Sequence, residues 1–201
     1  MKKHTWALLL IGGAILLAGC GAVPLTVDLS PILQKAEAAQ GSFSQPLSVP
    51  PGTKLDGLDG QTFFIPSEEG LAVSFEVPDL PKTPTSMTFE YAARVDYTLT
   101  CVENLEGELT ARAFLAGESP PWNTPIEGSE VRIPLQSEGH LNLEGTAWLS
   151  PEQLQAVLSG KVVLGLQLSL ESPSGVVLDN CTPEIQGTYK IERAVLKIQF
   201  F

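Results

Sequence analysis

Histidine is the side chain best suited to moving protons near neutral pH, and the sequence has two, His4 and His140. His140 stands just ahead of the alternating run Leu141-Asn142-Leu143, the place of a turn or strand edge. Nucleophilic catalysis would need a Ser or Cys beside it and a third group to orient it. Neither a Gly-x-Ser-x-Gly elbow nor a His-Glu-x-x-His pair occurs in the sequence. Paired carboxylates do acid–base work on glycosides when they stand ~5–5.5 or ~6.5–9.5 Å apart. Glu103, Glu106 and Glu108 form one cluster and Glu68-Glu69 another. In a chain with 23 Asp and Glu against 12 Lys and Arg, such clusters read as solvated charge. Asp56-Gly57-Leu58-Asp59-Gly60 lacks the alternate oxygen ligands and closing Glu of a calcium loop, and reads as two Asp-Gly turns. No catalytic residue, metal site or cofactor is expected, and the chain is not expected to be an enzyme.

The remaining reactive group is a thiol near the N-terminus. Lys2 and Lys3 precede an uncharged apolar run, Trp6 to Leu17, which ends in Leu17-Ala18-Gly19-Cys20. At about 1.5 Å per residue this run falls well short of the ~30 Å hydrocarbon thickness. The layout is that of an export signal. It resembles a bacterial lipoprotein signal peptide, whose lipobox is an apolar residue, a small one, Gly or Ala, then Cys. The resemblance implies diacylglyceryl transfer to the Cys20 thiol, cleavage after Gly19 and acylation of the freed amine. It implies residues 1–19 as signal peptide, a lipid on Cys20 as the contact with the membrane, and an extracytoplasmic place in the cell envelope. Gly21, in place of the Asp that retains lipoproteins at the inner membrane, favours the outer membrane in a diderm cell.

Composition narrows the partners. The net charge is −11, and cleavage would remove Lys2 and Lys3 besides. Nucleic acid needs clustered Lys and Arg and is not an expected partner. With Cys20 lipidated, Cys101 and Cys181 remain, and two cysteines in an exported domain read as one disulfide. Two buried free thiols are the alternative.

These residues need elements to position them. Residues 20–60 are punctuated by Pro24, Pro31, Pro46, Pro50 and Pro51 and by several glycines, and read as a flexible, lipid-anchored tether. Ser30-Pro31 followed by Ile32 to Gln40 offers one short helix within it. From residue 61 to 201 the period becomes two. Phe89, Tyr91, Ala93, Val95, Tyr97, Leu99 and Cys101 share one face of a strand, with polar residues between them. Further strands are expected at 71–77, 108–116, 130–136, 140–149 and 161–171. In the C-terminal run, Tyr189 and Ile191 are out of phase with Ala194, Leu196 and Ile198, which predicts a β-bulge near Glu192-Arg193. Ser150-Pro151-Glu152 starts a helix over about 151–159, closed by Gly160. About eight alternating strands with Pro and Gly turns indicate an all-β protein, an antiparallel β-sandwich with one short helix.

Two tryptophans offer contact surface. Trp122 lies in the loop Ser119-Pro120-Pro121-Trp122-Asn123-Thr124-Pro125, and Trp148 falls on the face opposite Leu141 and Leu143. The alternative is that Trp122 folds back to cap the sandwich and Trp148 packs against the helix. The expectation is a lipid-anchored envelope protein presenting an acidic β-sandwich as a structural or interaction module, its partner an envelope protein or glycan. The alternative is an envelope binder of a lipid, glycan or small solute held between the sheets or at one end.

Overall fold

The computed structural model describes residues 25–35, 39–77, 84 and 86–200. Two five-stranded antiparallel sheets pack face to face, so the all-β sandwich is what the alternation indicated. The first sheet is built on two long strands, β5 (Ser86–Thr100) and β10 (Glu184–Gln199). β8 (Glu138–Trp148) pairs with the free side of β5. On the far side of β10, β1 (Leu25–Asp28) and β2 (Gln40–Pro46) follow one another in tandem. The second sheet repeats this plan. Its long pair is β6 (Val102–Ala116) with β9 (Lys161–Val177). β7 (Val131–Pro134) flanks β6, while β3 (Thr62–Ile65) and β4 (Leu71–Ser74) sit in tandem along β9.

The four long strands are one ribbon folded across both sheets. Only Cys101 separates β5 from β6, and its φ of 63° turns the chain from one sheet into the other. The segment from β9 to β10 makes the same crossing beside it, and the Leu178 N–H donates to the Cys101 carbonyl at 2.9 Å. Cys101 and Cys181 are joined by a disulfide with their Cα atoms 5.6 Å apart. The expected bridge is therefore present. Its first half lies at the sheet-crossing corner, half exposed, rather than on the inward face of a continuing strand.

The inner faces follow the period of two. Leu109, Ala111, Ala113 and Leu115 of β6 meet Leu164, Leu166, Leu168 and Leu170 of β9 across the ladder, all buried. Opposite them lie Phe89, Val95, Leu99, Leu141, Leu143, Leu196 and Ile198. Burying one such Leu or Ile contributes about 1.5–3 kcal/mol. The predicted bulge is found: pairing with β5 slips between Ile191 and Arg193, leaving Glu192 as the extra residue. Both phases of the C-terminal run thereby face inward.

The tether is corrected. Residues 20–24 lie outside the described residues, but from Leu25 onward the segment is part of the sandwich. The domain begins there and not at residue 61. Leu29, Leu33, Phe43, Leu47, Leu55 and Leu58 are buried in the common core. Of the prolines that suggested a leash, Pro31 opens α1, Pro46 ends the edge strand β2, where Pro is tolerated, and Pro51 with Gly52 makes a turn. The short helix α1 (Ser30–Lys35) is present, and the residues expected to extend it, 36–38, lie outside the described ones. A 3₁₀ turn, Leu55–Leu58, occupies the first Asp-Gly.

The second helix, α2 (Pro151–Leu158), has the expected start and stop. Ser150 accepts from the Gln153 N–H, and the Gln153 side chain accepts from the Ser150 N–H in a reciprocal capping box. Gly160, at φ 72°, ends it in the left-handed region. The buried Gln153 also donates to the carbonyls of Thr124 and Pro125 at 3.2 Å, which ties the helix to the loop after β6. No helix among the described residues is long and apolar enough to cross a membrane.

Candidate functional site

The sequence-predicted site residues are scattered. Cys20 lies outside the described residues. His140 is exposed on the outer face of the first sheet. Its register partner on β5 is Asp96, but that carboxylate is held by the Arg94 guanidinium, with Nη2 to Oδ1 at 2.7 Å. Glu103, Glu106 and Glu108 stand exposed along β6, and Glu108 lies 3.8 Å from Arg132. Asp59 accepts the Ser172 N–H at 2.7 Å, in a loop-closing role. Among the described residues, no three His, Cys, Asp or Glu side chains are grouped to hold a metal ion.

The two tryptophans part company. Trp122 is half buried and is not offered to a partner. Gly165 of β9 leaves a gap on the outer face of the second sheet, and the indole fills it. A Cβ at Gly165 would meet the ring at 2.4 Å. Phe64 of β3 and Phe114 of β6 flank the indole, with ring centroids 4.6 and 5.4 Å away. The Trp122 Nε1–H donates to the Glu68 carbonyl at 2.7 Å. Trp122 is thus corrected from contact surface to cap. The cause is a small apolar patch on an otherwise polar face, which would stay wet without the indole. Its sequence signal was Phe114, an aromatic at a polar-phase position of β6, opposite Gly165 in register.

Trp148 is the contrary case. It is 59% exposed, the most exposed large apolar side chain among the described residues. It packs neither into the core nor under α2. It stands at the end of β8, in one cross-strand row with Thr88, Lys197 and Thr26. Lys197 and Arg193 both hold Glu90. The Lys197 hydrogen bond, then the Arg193 charge, keep the Glu90 carboxyl below the usual carboxylate range. On the other sheet, Arg132 and Arg112 converge on Glu130 and lower it in the same way. Arg132 also reaches Glu171 at 3.0 Å. These exposed networks knit neighbouring strands and contribute little each.

The space between the sheets is nearly filled. Among the described residues, an apolar cleft of about 40 Å³ lies there, lined by Phe89, Tyr91, Ala113, Leu166, Tyr189 and Ala194 among others. A dry cavity that takes up benzene measures ~150 Å³, and pockets for larger ligands run to ~300–1,000 Å³. That cleft has no room for a lipid chain or a sugar. Tyrosine rings close part of it by lying over cross-strand glycines: Tyr97 covers Gly139 and Tyr91 covers Gly145.

No protein family and no curated protein sequence matches this chain. Among solved structures it is similar to capsid structures of viruses. One is of a marine algae virus of the order Picornavirales, at 10% identity, TM-score 0.31, covering 77% of this chain and 68% of that one. Another is the empty capsid of Triatoma virus, at 12% identity, TM-score 0.33, covering 88% and 90%. A third is rhinovirus-B5, at 14% identity, TM-score 0.32, covering 100% and 90%.

Proposed function

We propose that this chain is a lipid-anchored protein of the bacterial cell envelope, whose β-sandwich serves as a structural or interaction module outside the cytoplasm. The observation that carries the reading is Leu17-Ala18-Gly19-Cys20 closing a short apolar run behind Lys2 and Lys3. The Cys101–Cys181 bridge supports it, because disulfides persist in oxidising, extracytoplasmic compartments. Two or three acyl chains on Cys20 hold stably where one would hold only marginally. The acidic surface keeps the body away from nucleic acid.

The module reading is favoured over a binder that holds its ligand between the sheets by the small size of the cleft there. A protein that carries a lipid or solute between its sheets needs an order of magnitude more space than the cleft offers. Among the described residues, His140 is exposed and its register partner Asp96 is held by Arg94.

The test is membrane fractionation of the full chain. Wild type is expected to partition with membranes and to carry acyl mass on a new N-terminus at Cys20. Cys20→Ala is expected to move the protein to the soluble fraction. Membrane association that survives Cys20→Ala, or an intact segment 1–19 on the wild type, overturns the reading.

A further inference from the structure

Strand β1 starts at Leu25, so residues 21–24 are all that separate a lipidated Cys20 from the sandwich. Five residue steps span at most about 17 Å when fully extended. The sandwich is therefore held close to the bilayer by the end at which β1 begins. The ladder says what else lies at that end. Leu25 pairs with Ile198, Ile198 with Met87, and the Leu149 N–H donates to the Met87 carbonyl at 2.9 Å. The next row joins Thr26, Lys197, Thr88 and Trp148. Trp148 is thus level with the first residues of β1, three strand spacings or about 14 Å to the side. The disulfide corner and the exposed Val176 and Leu178 lie at the opposite end of the long strands.

We infer that Trp148 is a second membrane contact, an indole that enters the headgroup region of the bilayer into which the Cys20 lipid inserts. The occupant of this surface is the lipid interface itself. Indole suits it, with an apolar body for the acyl boundary and one N–H for the wet side. The charge next to it does not oppose it, because Lys197 in the same row and Arg193 share the one carboxylate of Glu90, two rows along β5, and leave no net negative charge there. A single lipid on a short link leaves the body free to swivel. A ring about 14 Å away on the same end fixes which edge faces the membrane. That edge is β8, and the face tilted outward is the second sheet with its Arg112, Arg132 and Glu130 network.

The inference rests on the anchor reading, and the experiment separates the two. The full chain, produced in a cell that lipidates it, is reconstituted into phosphatidylcholine vesicles with brominated acyl chains, which quench tryptophan on contact. Cleavage removes Trp6, so only Trp122 and Trp148 report. Trp122, clamped on the second sheet, is expected to be unquenched. The wild type is expected to float with the vesicles and to lose a large part of its fluorescence. Trp148→Phe is expected to float equally well and lose almost none. Flotation with no quenching, or equal quenching in Trp148→Phe, overturns the Trp148 contact and leaves the anchor intact. Failure of the wild type to float overturns the anchor, and the contact with it.

Discussion

Trp122 and Trp148 carry the same side chain to opposite ends, and the residue facing each one decides which. Trp122 meets a gap left by Gly165 and two flanking phenylalanines, so it buries most of its ring and its N–H finds a carbonyl. Trp148 faces Thr88 on an outer polar row and has nothing to sink into. Trp122→Ala is expected to cost about 2–3 kcal/mol, below the ~3–5 of a fully buried Trp because the site is partly open. Trp148→Ala is expected to stay within ~0.5 kcal/mol of wild type, as surface changes do. Thermal denaturation of the two variants checks the pair, and equal losses would contradict the assignment. The sequence left each indole open between contact surface and packing. Which one folds back depends on a glycine some 40 positions away.

At the scale of elements, the period of two was legible wherever a strand buries one face completely. β5, β6, β9 and β10 were visible for that reason, and so was the slip in β10. The slip has a sharp consequence. Glu192 opposes no residue of β5, so deleting it removes the bulge without moving any inner side chain to the outer face. A Glu192 deletion is expected to fold, with a modest fall in melting temperature from the lost bend and the lost Lys190 ion pair. Deleting Thr188 instead shifts the N-terminal half of β10 by one, turns Ile185 outward, and is expected to prevent folding. Circular dichroism melts of the two deletions decide it. The tandem edge strands β1, β2 and β3 were not legible. They run four to seven residues, too short for alternation to rise above chance, and the prolines between them resemble those of a linker.

The whole molecule is a ribbon folded over itself, with its bend stapled at one end and its anchor expected at the other. The bridge closes a separation of 80 residues, for which chain entropy gives about 4.5 kcal/mol as an upper figure. Replacing both cysteines by serine is expected to lower stability by ~2–4.5 kcal/mol in urea unfolding. A change below ~0.5 kcal/mol would mean that the four long strands hold the bend unaided. The sequence by itself determined what local chemistry can write. That comprises the short apolar run with its Cys20, the acidic balance, the alternation of the long strands, the bulge, the start and stop of α2 and the parity of two remaining cysteines. Tertiary structure alone decided that the Pro-rich segment after Leu25 completes both sheets, and that the interior closes to about 40 Å³. It also decided that one tryptophan caps while the other stands free at the end where β1 begins. Each of these is set by pairing between residues far apart in the chain, and a period read along one strand carries no information about what lies across from it.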